Sequence, residues 1–92
     1  MNKDEFEPLC ILQEECAEVI HVISKGYRFG FDTPFNMRTS RQNLNEEIGD
    51  VLCMIDILID KGFIDPAKIE LAKQDKKHQL NRWSNIKFNS EE

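Results

Sequence analysis

Leu9-Cys10-Ile11-Leu12-Gln13-Glu14-Glu15-Cys16-Ala17-Glu18-Val19-Ile20-His21-Val22-Ile23 is the stretch on which the fold turns. Leu9, Leu12, Cys16, Val19, Ile20 and Ile23 recur at spacings of three and four, the period of an amphipathic helix. The pattern predicts a helix from about Asp4 to Lys25. At 100° per residue a second line runs beside the main apolar face, made of Ile11, Glu15, Glu18 and Val22. Apolar residues bracket its two acids, whereas the plain solvent line falls elsewhere, on Gln13, Ala17, His21 and Ser24.

The next periodic segment repeats the anomaly. A helix is expected from Thr39 or Ser40, both good N-caps, to about Lys61, with Gly62 as the C-cap. Its apolar set is Leu44, Ile48, Val51, Leu52, Ile55, Leu58 and Ile59. Glu47, Asp50, Met54 and Ile57 form one line next to Val51 and Leu58, and solvent takes Asn45, Gly49, Asp56 and Asp60. Antiparallel packing of the two helices brings four carboxylates together. Two like charges ~6 Å apart at an effective dielectric of ~20 repel by ~3 kcal/mol. Such a cluster stabilises a fold poorly unless a hard divalent cation sits among the oxygens. Magnesium takes oxygen ligands, keeps some waters and binds phosphates at the same time.

Outward from these helices the chain is simpler. Gly26-Tyr27-Arg28-Phe29-Gly30 is expected to break the first helix, and residues 30–39, with Pro34, read as a loop. Asp65-Pro66 is an N-cap followed by proline at the first helical position, opening a third helix to about Trp83. The tail from Ser84 is expected to fray. Nothing reads as a strand, a repeat or a low-complexity tract. The fold class is all-α, with residues 1–92 one domain. The composition, 40% hydrophobic and 32% charged, is that of a globular chain. A net charge of −5 opposes binding to a nucleic-acid backbone. With no signal-like segment and no long apolar run, a soluble cytoplasmic protein with no membrane partner is expected. Cys10, Cys16 and Cys53 are odd in number and lack a CxxC pair, so they read as small buried hydrophobes.

Glu14-Glu15-Cys16-Ala17-Glu18 fits EExxE, and Glu47-Ile48-Gly49-Asp50 fits ExxD. Together with the helix order, and with Ile23-Ser24-Lys25, Arg28-Phe29-Gly30 and Asn43-Leu44-Asn45 nearby, they resemble the MazG-like all-α nucleoside triphosphate pyrophosphatases. The resemblance covers about Leu9 to Trp83. It implies a four-helix core completed by oligomerisation, as a dimer or tetramer. It also implies hydrolysis of an NTP or dNTP to the monophosphate and pyrophosphate with Mg²⁺, Mn²⁺ being a possible substitute. Carried over by motif, Glu15, Glu18, Glu47 and Asp50 look like metal ligands. Glu14, the first acid of EExxE, would complete a second metal shell or orient the attacking water. Metal-dependent phosphoryl chemistry needs charge neutralisation and in-line positioning more than a covalent nucleophile. His21 and His78 read as surface residues.

Substrate contacts are expected from basic and aromatic residues. Lys76 interrupts the apolar line Ile69, Ala72, Leu80 and Trp83 of the third helix, and Lys73 lies beside it. Either side chain snorkels or meets the outer phosphates. Lys25 and Arg28 are further cations. Tyr27, Phe29, Phe31, Phe35 and Trp83 offer rings for a base or anchors for packing. Asn43 either reads a polar edge or caps the second helix. Two other readings stand beside this one: a phosphoribosyl-ATP pyrophosphohydrolase-like enzyme, and a non-catalytic helical module that binds metal or nucleotide.

Overall fold

The computed structural model describes residues 3–88. Among them are three helices and no strand: α1 (Lys3–Phe29), α2 (Ser40–Asp60) and α3 (Pro66–Trp83). The fold is all-α. Helix α2 opens on a capping box, in which Thr39 Oγ1 accepts from the Gln42 amide at 3.1 Å and Gln42 Oε1 accepts from the Thr39 amide at 2.8 Å. Lys61 caps its C-terminus and Gly62 follows with φ 79°. Asp65 caps α3 through the Ala67 amide at 2.9 Å, ahead of Pro66.

Helix α1 runs to Phe29, four residues past the expected break. Gly26 is buried and helical. A Cβ there would lie 2.2 Å from Cε1 of Phe31. The glycine makes room for a ring and does not turn the chain. Phe31 folds back onto α1, edge-on to Tyr27 with ring centroids 5.6 Å apart. Its carbonyl accepts from the Arg41 amide at 3.1 Å, tying the loop to the first turn of α2. The Arg41 side chain adds a two-pronged pair to Asp32, at 2.7 and 3.0 Å. The loop contains a tight turn: Phe35 and Arg38 exchange both backbone hydrogen bonds, at 2.7 and 3.1 Å, around Asn36 and Met37. Both central residues have positive φ, 52° and 68°, the pattern of a type I′ turn.

Helices α1 and α2 pack as an antiparallel hairpin: Glu5, near the start of α1, lines one cleft with Lys61 and Phe63, just past the end of α2. The hydrophobic core is Val22, Met54 and Leu58. Pro8 and Gly26 are buried with them. Val22 and Met54, with Pro8 and Gly26, lie along the lines that carry the acids, and Leu58 belongs to the apolar set beside them. Of the apolar sets expected to make the core, Leu58 is the most deeply buried residue and Leu12, Val19, Leu44, Val51, Ile55 and Ile59 are half-buried, whereas Cys16, Ile23, Ile48, Ile20 at 69% and Leu52 at 55% are exposed. Cys10, Cys16 and Cys53 are all exposed, against the expectation of buried thiols.

Against the expectation of no repeat, the two helices carry one. Leu12-Gln-Glu-Glu-Cys-Ala-Glu-Val-Ile-His-Val-Ile23 aligns with Leu44-Asn-Glu-Glu-Ile-Gly-Asp-Val-Leu-Cys-Met-Ile55. Leu12/Leu44, Glu14/Glu46, Glu15/Glu47, Val19/Val51 and Ile23/Ile55 are identical, and most other pairs are conservative. Helix periodicity masked the relation, because any two amphipathic helices share spacing; the packing shows that the paired positions also play the same part. The hairpin therefore has local two-fold character. In an antiparallel pair, equal rotations away from the contact line bring residues to the same side of the sheet-like hairpin. One side carries Ile20, Ile23, Ile48 and Leu52. The other carries Glu14, Glu18, Lys25, Asn43, Glu46 and Asp50.

Helix α3 packs along neither α1 nor α2 and has no buried residue. Residues 84–88 fold back on it: the Phe88 amide donates to Asn81 Oδ1 at 2.8 Å and Lys77 Nζ lies 5.6 Å from the Phe88 ring. The molecule is consequently a plate, 42 × 41 × 17 Å, with a radius of gyration of 16.4 Å against about 12 Å for a compact chain of this length.

Candidate metal centre

The site lies in the α1–α2 seam. Glu15 comes from mid-α1, and Glu47 and Asp50 stand one turn apart on α2. Each offers a carboxylate oxygen, and these oxygens lie within 4.8 Å of one another. Glu15 and Glu47 are half-buried and Asp50 is exposed. Partial burial pushes the Glu15 carboxyl above its ordinary range, helped by a hydrogen bond to Asp50 and by the charges of Asp50, Glu47 and Glu18. Burial likewise raises Glu47, with Asp50, Glu18 and Glu46 adding to it. Every charge that acts on these two groups is negative. Among the described residues no Lys, Arg or His is ion-paired to Glu15, Glu18, Glu47 or Asp50. An oxygen-only donor set with no internal counter-charge fits a hard divalent cation.

Residues 7–65 match the MazG nucleotide pyrophosphohydrolase domain family. The chain belongs to that family. No curated protein and no solved structure matches it. The MazG match spans both helices of the seam and the loop between them. The acid set is thus supplied by the part of the chain that defines the MazG domain, and α3 lies wholly outside the match.

The other residues singled out in the sequence are placed as follows. Glu14 is exposed on the open acidic side. Asn43 is half-buried one turn before Glu47 and accepts from Arg38 Nε at 2.8 Å. It does not cap α2, a role taken by Thr39. Lys25 is exposed on α1, on the side of Glu18. Arg28 stacks over Phe29, 5.2 Å from the ring centroid. Lys73 pairs with Glu70 on its own helix at 3.4 Å, and Lys76 is exposed and ion-paired to none of the described residues. Trp83 is 78% exposed under the Arg82 guanidinium. Because α3 does not pack on the hairpin, Lys73, Lys76 and Trp83 are not brought to the MazG acids within one chain. His21 and His78 are on the surface. Two residues near the acids went unnoticed in the sequence: Arg38, in the loop, and Glu46, to which its guanidinium is paired at 2.7 Å. The repeat would have drawn attention to Glu46, which occupies in α2 the place of Glu14 in α1.

Proposed function

We propose that the chain is a magnesium-dependent nucleoside triphosphate pyrophosphohydrolase, converting an NTP or dNTP and water to the monophosphate and pyrophosphate. The observation that carries this reading is the convergence of Glu15, Glu47 and Asp50 in the seam of a MazG domain. Glu15, Glu18, Glu47 and Asp50 hold Mg²⁺, or Mn²⁺ in its place. The cation supplies neutralisation of phosphate charge and a lowered pKa for bound water. The chain's own contribution is to fix the acids on two rigid helices and to leave their outer side open to substrate. Glu14, exposed beside them, orients the attacking water. Lys25 and Asn43 lie on the substrate side, and Arg28 stands past the end of that row. The reading makes the protein a cytoplasmic enzyme of nucleotide-pool control.

The functional unit is a homo-oligomer. The open line of Ile20, Ile23, Ile48 and Leu52 on one hairpin side needs cover, and a second copy's identical hairpin makes a four-helix core with it. Lys73, Lys76 and Trp83 belong to the site only in such an assembly, where one chain's α3 can lie across another's seam. Phosphorus NMR of a reaction with Mg²⁺ tests the chemistry. Monophosphate and pyrophosphate are the expected products. Inorganic phosphate with a nucleoside diphosphate would place attack at the γ-phosphate and overturn the reading. A panel of NTPs, dNTPs, damaged nucleotides and guanosine alarmones at one concentration then ranks substrates.

A further inference from the structure

The acid site is close to two-fold symmetric, and symmetry alone gives a triphosphate no preferred direction across it. Glu15 faces Glu47, Glu18 corresponds to Asp50, and Glu14 to Glu46. The correspondence fails within the acids, where Asp50 but not Glu18 shares the 4.8 Å cluster with Glu15 and Glu47, and it fails again at the outer pair. Glu46 is bound to Arg38 at 2.7 Å, whereas no described cation pairs with Glu14. Arg38 is fixed from three directions. Its backbone closes the Phe35–Arg38 turn, Thr39 directly after it caps α2, and Asn43 accepts from its Nε at 2.8 Å. Asn43 and Glu46 both lie on the side of α2 that carries Asp50, so the guanidinium sits on the open acidic side, about one turn from the metal acids. A guanidinium has five N–H donors. Asn43 and Glu46 take two, and the Arg38 side chain remains 45% exposed. Lys25 of α1 stands on the same side at the same end. At the opposite end that side carries Glu7 and Ile57.

We infer that Arg38, held by Asn43 and Glu46, is the outer-phosphate clamp of this site and fixes the direction of the bound triphosphate, with its β- and γ-phosphates toward the α1–α2 loop. The inference rests on the pyrophosphohydrolase reading for its substrate class. Its free N–H groups present a planar fork to phosphate oxygens, and the fork is ordered before substrate arrives. Asn43 and Glu46 are positioning residues: they touch the arginine and not the substrate.

The test is substitution of Arg38 in the full-length chain, read three ways. Arg38→Ala should raise KM for a nucleoside triphosphate about 10- to 100-fold, the range of lost charged hydrogen bonds. It should weaken binding of inorganic tripolyphosphate with Mg²⁺, followed by calorimetry, by a similar factor. Inhibition by the nucleoside monophosphate should stay within about twofold. Arg38→Lys keeps the charge but loses the fork, so its KM should fall between wild type and alanine. Glu46→Ala should raise KM several-fold and Glu46→Gln, which keeps an acceptor, should restore most of the loss. A merely structural ion pair would lower the melting temperature of Arg38→Ala and leave KM and tripolyphosphate affinity unchanged; that result overturns the clamp while a wild-type activity stands. Wild type that binds tripolyphosphate through Arg38 yet hydrolyses no nucleotide sustains the clamp and sinks the pyrophosphohydrolase reading alone.

Discussion

At the level of single side chains, the acid cluster behaves in opposite ways with and without a cation. Without one, Glu15 and Glu47 are raised first by burial and then by the neighbouring carboxylates, whose like charges repel. Glu18→Gln or Asp50→Asn should therefore keep or raise the melting temperature of metal-free protein, abolish turnover, and lose the upward shift that magnesium gives the wild type by mass action. Melting curves of wild type and both variants, with and without Mg²⁺, decide the matter; a variant that retains the magnesium shift and full turnover does not carry a ligand. The same cluster fixes a pH dependence. Glu15 and Glu47 bind protons more tightly folded than unfolded. The stability they confer is fully present below the ordinary Glu value of 4.5 and is lost as pH rises through their elevated values. Metal-free wild type should thus lose melting temperature across that window, and Glu15→Gln should lose less. A steeper loss in Glu15→Gln would contradict the sign. Spacing made these acids legible in the sequence, because charge on a half-apolar line is conspicuous. Arg38 was illegible for the converse reason: a loop cation has no period, and only the turn around Asn36 and Met37 brings it to Asn43 and Glu46.

At the level of elements, caps and turn residues were read well and the interior of α1 was not. Thr39 and Asp65 cap their helices through their own local chemistry, which sequence displays directly; the C-cap of α2 is Lys61, one residue before the expected Gly62. Gly26 acts through a ring five residues on, and glycine in a pattern reads as a break whatever its purpose. The distinction yields a double-mutant cycle. Gly26→Ala alone should cost about 1–2 kcal/mol, because displacing the Phe31 ring outweighs the ~1 kcal/mol that alanine gains in helix propensity. In a Phe31→Ala background the ring is gone and Gly26→Ala should stabilise instead. Denaturant unfolding of the four proteins measures the sign change, and equal effects in both backgrounds would mean that the ring does not sit on the glycine. The contact between the helices falls between the acid line and the apolar set: Val22 and Met54 of the acid lines are buried with Leu58 of the apolar set, while Cys16 and Ile23 are exposed.

At the level of the whole molecule, one chain exposes 7540 Å², whereas a compact globular protein of 10.8 kDa exposes roughly 5,500 Å². The excess is more than the roughly 800 Å² per partner of a standard interface. Sedimentation at micromolar concentration should show a dimer or tetramer. Ile20→Glu and Leu52→Glu, each placing a charge on the open apolar side, should weaken assembly by about tenfold or more while leaving α-helical circular dichroism intact in concentrated solution. A well-folded monomeric wild type would remove the case for a four-helix core. Assembly was foreseeable from three short helices with too little room to cover each other, yet its face was not, since that depended on the packing of the acid lines. The kinship of α1 and α2 has a consequence for the newborn chain. A helix so like its partner can pair with the same helix of a neighbouring molecule, and swapped or homotypic hairpins compete with the native one. The ten-residue connection 30–39 holds the two halves of one chain at an effective concentration in the millimolar range. The Phe31 latch on Gly26 and the Asp32–Arg41 clasp close that connection further, so each polypeptide chooses itself before it meets another.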